Sequence, residues 1–226
     1  MTKRPPTQSS TAERPTVLLF DWDNTLVDSW GVIHAAMNTT LEEMGHPRWS
    51  RSEAENRIRA SLRDSFPGLF GERWKDAEKI FYAAFERLHL LELQPLAGAE
   101  ELLRWASGAG FYMGVVSNKR GHYLRKEAVH LGWDKYFTAL AGAGDSAHDK
   151  PAREHVQKAL DPGKLQPGKH VWFIGDTDID LICGHNNGCV PVLVRPQPPH
   201  AGEFGAAPPQ HYFPALSGLQ AALAAL

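Results

Sequence analysis

The sequence predicts an α/β protein, a Rossmann-like parallel sheet with helices on both faces, interrupted once by an inserted helical block. Three observations carry this. Uninterrupted apolar runs such as Val17-Leu18-Leu19-Phe20 read as strands buried on both faces, as in parallel sheets covered by helices. From Pro95 onward such runs alternate with helical periodicity, a pattern that calls for right-handed crossovers. Between Trp30 and about Leu93, by contrast, amphipathic helices follow one another and no strand candidate occurs.

Taken in order, the stretch Met1 to Pro15 is rich in Thr, Ser, Pro and charge, lacks the apolar core of a secretory signal, and reads as a disordered leader. The first strand is Val17 to Phe20. Trp30, Ile33, Met37, Leu41 and Met44 mark a helix that Gly45 and Pro47 end. Ser50 or Ser52 is placed to cap a second helix to about Arg63, which Asp64-Ser65-Phe66-Pro67-Gly68 breaks. Trp74, Ala77, Ile80, Phe81, Ala84, Phe85, Leu88 and Leu91 mark a third, long helix. A helix over about 97–107 then leads to the strand Phe111 to Val116, which stops at Ser117-Asn118. A helix from Gly121 to Leu131 precedes a weaker strand around Phe137 to Ala141 and a flexible Gly142-Ala143-Gly144 turn. Lys150-Pro151 opens the next helix. The strand His170 to Ile174, a helix, the strand Val190 to Val194, a proline-rich loop from Pro196 to Pro209 and a short C-terminal helix complete the chain. The expected division is a leader at 1–15, an α/β core formed by 16–29 and 94–226, and a helical cap at 30–93 above the strand ends.

Composition bounds the partners. With 226 residues, 42% of them hydrophobic and 22% charged, the chain can bury a sizeable core as a globular protein. A formal net charge of -2 leaves no electrostatic footprint for nucleic acid or an anionic membrane. No apolar run approaches the roughly 18 residues that span a bilayer. Cys183 and Cys189 fit neither a disulfide framework nor a zinc pattern, so a reducing, cytoplasmic location is expected, with both thiols serving as small buried hydrophobes.

The three clearest strands each end in a polar cluster: Asp21 and Asp23, Ser117 and Asn118, Asp176 and Asp180. Asp, Asn and Thr after a strand are also ordinary turn and capping chemistry, so no one cluster decides the matter. If the strands are neighbours, however, all three clusters converge on the crevice at the carboxyl ends of the sheet, where ligands bind in open α/β folds. Facing carboxylates cannot all stay ionised without a counter-charge, and hard oxygen donors with room for water suit Mg²⁺. Asp21 and Asp176 are the expected side-chain ligands. Lys150 offsets remaining charge and grips an anion, and the Ser117 hydroxyl with nearby backbone N–H groups adds neutral donors. Acidic groups holding a metal beside donors for an anion describe phosphoryl transfer.

These residues resemble the four motifs of the haloacid dehalogenase superfamily: Asp21-Trp22-Asp23-Asn24-Thr25 the first, Ser117-Asn118 the second, Lys150 the third, and Gly175-Asp176-Thr177-Asp178-Ile179-Asp180 the fourth. The order is right and the resemblance runs from about Thr16 to the C-terminus. The helical block between the first two motifs is similar to the smaller helical cap of phosphoglycolate-phosphatase-like members. The resemblance implies Asp21 as nucleophile, forming an aspartyl-phosphate intermediate, and Asp23 as the acid that protonates the leaving alcohol and the base that then activates water. It implies phosphate binding by Ser117 and the Asn118 backbone, with Lys150 orienting Asp21. It implies Mg²⁺ held by Asp21, Asp176 and the Asp23 backbone carbonyl, with Asp180 a ligand or the residue behind one. Within the resemblance, the carboxylate at Asp23 implies a phosphomonoesterase or phosphomutase and not a dehalogenase or a phosphonate-cleaving member. Asn24, where Gly is frequent, and Asn187-Gly188, where Ala-Gly is common, are mild departures.

The expected activity is therefore Mg²⁺-dependent hydrolysis of a small phosphorylated metabolite. A sugar-phosphate mutase or a pyrophosphatase would use the same residues, and a non-catalytic binding scaffold would be expected to have lost one of them. In the cap, Arg63 is a candidate for pairing with a second anionic group on the substrate, although an exposed helix-end arginine is an equal account. His34, His148, Asp178 and Asp28 are read as packing, loop, helix-terminal and capping residues, respectively.

Overall fold

A computed structural model of the chain describes residues 14–58 and 62–226. The part of the expected leader ahead of Arg14, and the side chain of Arg63, lie outside the described residues. The chain opens with β1 (Val17–Phe20) and the two-residue β2 (Val27–Asp28). Four helices follow, α1 (Trp30–Glu43), α2 (Arg51–Arg57), α3 (Leu62–Phe70) and α4 (Trp74–Leu88). The return strand β3 (Gln94–Pro95) pairs antiparallel with β2 and forms the neck of this helical layer. Then come α5 (Ala99–Gly108), β4 (Tyr112–Arg120), α6 (Gly121–His130), β5 (Ala139–Ala143), α7 (Arg153–Leu160), β6 (Val171–Gly175), α8 (Asp178–Asn186), β7 (Val190–Val194), β8 (His211–Phe213) and α9 (Leu216–Ala224).

Six strands form one parallel sheet in the order β5-β4-β1-β6-β7-β8. The strand β1 lies inside it, and successive side chains serve opposite faces, as the pleat requires. Leu18 and Phe20 join the core under α5 and α9 with Leu102, Leu103, Leu219 and Leu223. Val17 and Leu19 join the opposite core with Val156, Leu160 and Cys183. Four apolar residues therefore hold two layers of helices, which is why the run carries no alternation. Cys183 and Cys189 are free and buried. Among the described residues no helix is long and apolar enough to cross a membrane.

The helical layer has its own apolar cluster, in which Met37 of α1, Phe66 of α3 and Phe81 and Phe85 of α4 meet. Among the described residues, Tyr123 of α6 is the one outside the helical layer that joins it. Here the local readings need correction. The second helix ends at Arg57, capped at its start by a reciprocal Ser50–Glu53 box. A separate helix, α3, then runs through Asp64 to Gly68 with Pro67 inside it. Burial overrides the break signal: the Phe66 ring packs edge-on against Phe70 and Phe81, with centroids 5.0 and 5.8 Å apart.

Other boundaries also shift. The strand β4 continues past Ser117-Asn118 to Arg120, with an irregularity between Val116 and Arg120. Gly142 and Ala143 belong to β5 and not to a flexible turn. The seventh helix starts at Arg153, beyond the cis Lys150–Pro151 peptide. The strands β2, β3 and β8 carry no sequence signal at two or three residues each; β8 is recruited by pairing with Val192 to Val194 of β7.

Candidate active site

Register brings the polar clusters together. Phe20 lies opposite Val115 of β4 and Ile174 of β6, so the residues that follow these three positions stand side by side at one level of the sheet. The Asp21 N–H donates to the Ile174 carbonyl at 2.8 Å, carrying the ladder one residue beyond β1. The chain then turns through Asn24, whose φ of 61° lies in the left-handed region. Asparagine is one of the few residues besides glycine that adopt that conformation, so the turn is accommodated here. Its Oδ1 accepts from the Ser29 N–H, and the turn delivers the Thr25 hydroxyl to Asp176 Oδ1 at 3.2 Å.

Lys150 enters from the loop before α7. Its backbone N–H donates to Asn118 Oδ1 at 2.9 Å, so the Asn118 side chain fastens that loop to the end of β4. The buried ammonium lies 2.6 Å from Asp21 Oδ1 and 2.7 Å from Asp180 Oδ1. Asp180, in the first turn of α8, accepts on its other oxygen from the Thr177 N–H and hydroxyl, closing a capping box. It reaches this position because residue 175 is glycine: a Cβ there would stand 2.2 Å from Asp180 Cγ.

Oxygens of Asp21, Asp176 and Asp180 lie within 4.8 Å of one another. Burial, reinforced by Asp180 and Asp23 against the pull of Lys150, pushes the Asp21 carboxyl up to about 7. Burial together with Asp180 and Asp21 holds Asp176 well above the usual carboxylate range. Burial alone would lower Lys150, but Asp180 and Asp21 outweigh it and keep the ammonium charged. Three carboxyl groups share one ammonium, so they cannot all ionise without a further positive charge, and the donor set is all oxygen. A hard divalent cation fits that set.

Asp23 meets a second ammonium. Lys119 Nζ lies 2.6 Å from Asp23 Oδ1 and 2.7 Å from Glu127 Oε2. Sequence reasoning passed over Lys119, although a lysine inside a buried strand, directly after Ser117-Asn118, was a signal. The other polar residues weighed in the sequence have local partners. His34 and Asn38 bond the Trp49 carbonyl within the helical layer. Asp28 accepts from the Trp30 N–H at the start of α1, and Asp178 from the Ile179 N–H. His148 is exposed and bonded to Glu154.

One cleft joins these groups. Its floor includes Asp21, Asp23, Ser117, Asn118, Lys150 and Asp176, and its far wall is formed by Trp30, Ile33, Ile58, Phe81 and Tyr82 of the helical layer.

Four comparisons with known proteins bear on this arrangement. The chain is 30% identical over 177 residues to a phosphoglycolate phosphatase of Aquifex aeolicus, covering 76% of this chain and 81% of that protein. It is 27% identical over 209 residues to a 5'-nucleotidase of Pseudomonas aeruginosa, covering 91% and 94%. A haloacid dehalogenase-like hydrolase of Bacteroides fragilis superposes with a TM-score of 0.83 at 24% identity, covering 91% of this chain and 99% of that one, a likeness of fold. The family model described as haloacid dehalogenase-like hydrolase matches residues 18–194, and the chain belongs to that family.

Proposed function

We propose that the chain is a Mg²⁺-dependent phosphatase acting on a small phosphomonoester through an aspartyl-phosphate intermediate. The observation that carries this reading is the buried Lys150 ammonium between Asp21 and Asp180, with Asp176 alongside and Asp23 held separately by its own lysine. The two relatives' names both denote release of phosphate from an ester, in keeping with that reading.

An Asp21 carboxylate oxygen attacks phosphorus in line with the leaving oxygen. As the P–O bond breaks, its electrons pass to that oxygen, which takes the proton carried by Asp23 and departs as an alcohol. Asp23, now a carboxylate, accepts a proton from water as the water oxygen attacks the phosphoryl group, and Asp21 is regenerated with release of phosphate. The Ser117 hydroxyl and the backbone N–H of Asn118 bind phosphoryl oxygens. Lys150 holds Asp21 in place and offsets charge. Asp21, Asp176 and the Asp23 carbonyl would hold Mg²⁺, with Asp180 completing the acidic group. When bound, the ion neutralises charge on the phosphoryl oxygens.

The helical layer at 30–93 is read as a cap on a core formed by 16–29 and 94–226. Its apolar wall excludes bulk water and accommodates a leaving group with apolar surface. Free thiols at Cys183 and Cys189 suit a cytoplasmic location. The test is phosphate release from a panel of phosphorylated metabolites, with and without Mg²⁺, by the native chain and by Asp21→Asn. Release that needs both the ion and Asp21 is expected; release unaffected by Asp21→Asn would overturn the reading.

A further inference from the structure

Two ammonium groups divide the site. Lys150 serves Asp21 and Asp180, while Lys119 serves Asp23 and Glu127. The second pair is the less expected. A lysine buried to this degree is costly unless it is paired and its partners are themselves satisfied. Glu127 meets that condition, because its Oε2 accepts from Lys119 Nζ and from the Trp22 indole N–H, both at 2.7 Å, and its Oε1 lies 2.9 Å from His89 Nδ1. All of Glu127, His89 and the Lys119 side chain are buried, whereas Asp23 remains partly open to the cleft. Burial would lower Lys119, but Asp23 and Glu127 outweigh it, so the ammonium stays charged.

The consequence is geometric. Lysine has a long, rotamer-rich stem, and a surface lysine would leave a neighbouring carboxyl free to swing. Here Glu127 fixes the ammonium on one side, while the same carboxylate grips Trp22, the residue before Asp23 in the chain. Backbone and side chain at Asp23 are thereby referred to one buried anchor. That anchor includes His89, the first residue after α4, whose ring also stacks on Phe85 at 5.0 Å. We infer that Lys119, aligned by Glu127, is the positioning residue that holds the Asp23 carboxyl toward the leaving-group oxygen. This rests on Asp23 being the acid, as proposed above.

The leaving group supplies the test. Ring-substituted phenyl phosphates from p-nitrophenyl to p-methoxyphenyl share a shape but differ in how much they need a proton as the P–O bond breaks. The quantity to follow is kcat/KM, which reports the transfer step and is not affected by later hydrolysis of the intermediate. With Lys119→Met, kcat/KM is expected to fall about 100-fold for p-methoxyphenyl phosphate and by less than about tenfold for p-nitrophenyl phosphate, with KM nearly unchanged. An equal loss across the series, or no loss, would overturn the inference.

If Lys119→Met loses its cooperative melting transition, Glu127→Gln decides by the same criterion. That substitution keeps a hydrogen-bonding side chain beside Trp22 but leaves Lys119 without its fixed charge partner. Asp23→Asn is the reference. If it steepens the leaving-group dependence and neither of the other variants does, the positioning role fails alone. If Asp23→Asn leaves the dependence flat, the acid role of Asp23 fails and the inference falls with it.

Discussion

Lys150 Nζ stands 2.6 Å from Asp21 Oδ1 although 129 residues separate them in the chain. The contact is where the sheet domain balances its acidic site, since the same ammonium is 2.7 Å from Asp180. Removing one partner of a buried ion pair leaves the other charges uncompensated, typically at about 3–5 kcal/mol. Lys150→Met should therefore lower stability by roughly that amount at neutral pH, read by urea denaturation, and should abolish Asp21-dependent phosphate release. A variant as stable as the native chain would show that the carboxylates do not depend on this ammonium.

On the proposed reading, Mg²⁺ and a proton compete for the same acidic cluster. Burial raises Asp21 from an ordinary value of 3.8 to about 7 in the folded chain. A carboxyl with a raised folded value binds its proton more tightly when folded. Its contribution to stability is thus present below about 3.8 and lost as pH rises toward 7. Mg²⁺, which binds the charged form, should restore stability where that loss is greatest. Saturating Mg²⁺ is expected to raise Tm more at about pH 7.5 than at about pH 5. Equal increments at both values would contradict a site built on Asp21.

Gly175 is required by space and not by backbone conformation. A Cβ at this position would overlap Asp180, whose oxygens engage Lys150 and Thr177 at once. The carboxylate has little freedom to retreat. Gly175→Ala should displace it and, through Lys150, Asp21. A misplacement of about 1 Å at reacting groups costs on the order of 10²-fold in rate. We expect a folded protein with kcat reduced about 100-fold and a weakened response of Tm to Mg²⁺. Native kcat would mean that α8 can shift without disturbing the site.

The contrast between these residues and Lys119 explains what was legible in the chain. Asp21, Ser117 and Asp176 each follow an apolar run buried on both faces, so strand and site are written side by side and the sheet order β4-β1-β6 only assembles them. The partners of Glu127 lie 38 residues away at His89 and 105 away at Trp22, and nothing local marks a helical glutamate as buried. The same holds in the helical layer. Pro67 and Gly68 are strong break signals, yet Phe66 and Phe70 find aromatic partners that hold α3 through them. Local chemistry predicts elements until a contact distant in sequence outweighs it. The strand β8 is the simplest case, a three-residue segment made into a strand by the open edge of β7.

The seat of the helical layer offers a last prediction. Tyr123, on the first turn of α6, stacks on Tyr82 at 5.4 Å and meets Phe85 and His89 edge-on at 5.2 and 5.0 Å. Beside it, Arg120 pairs with Glu78 and lies 3.7 Å over the Tyr82 ring. The layer keeps its own core in Met37, Phe66 and Phe81, so losing Tyr123 should loosen its seating without unfolding it. If the layer acts as the cap proposed above, aromatic pairs, which contribute about 0.5–1.5 kcal/mol each beyond area burial, are enough in sum to shift its open–closed balance. For Tyr123→Ala we expect a larger radius of gyration by small-angle scattering and a rise in KM that exceeds any fall in kcat. If the radius and KM stay native while only Tm drops, Tyr123 packs the interface without controlling closure. The two readouts separate these cases because closure changes shape and substrate capture together, whereas loss of packing alone changes neither.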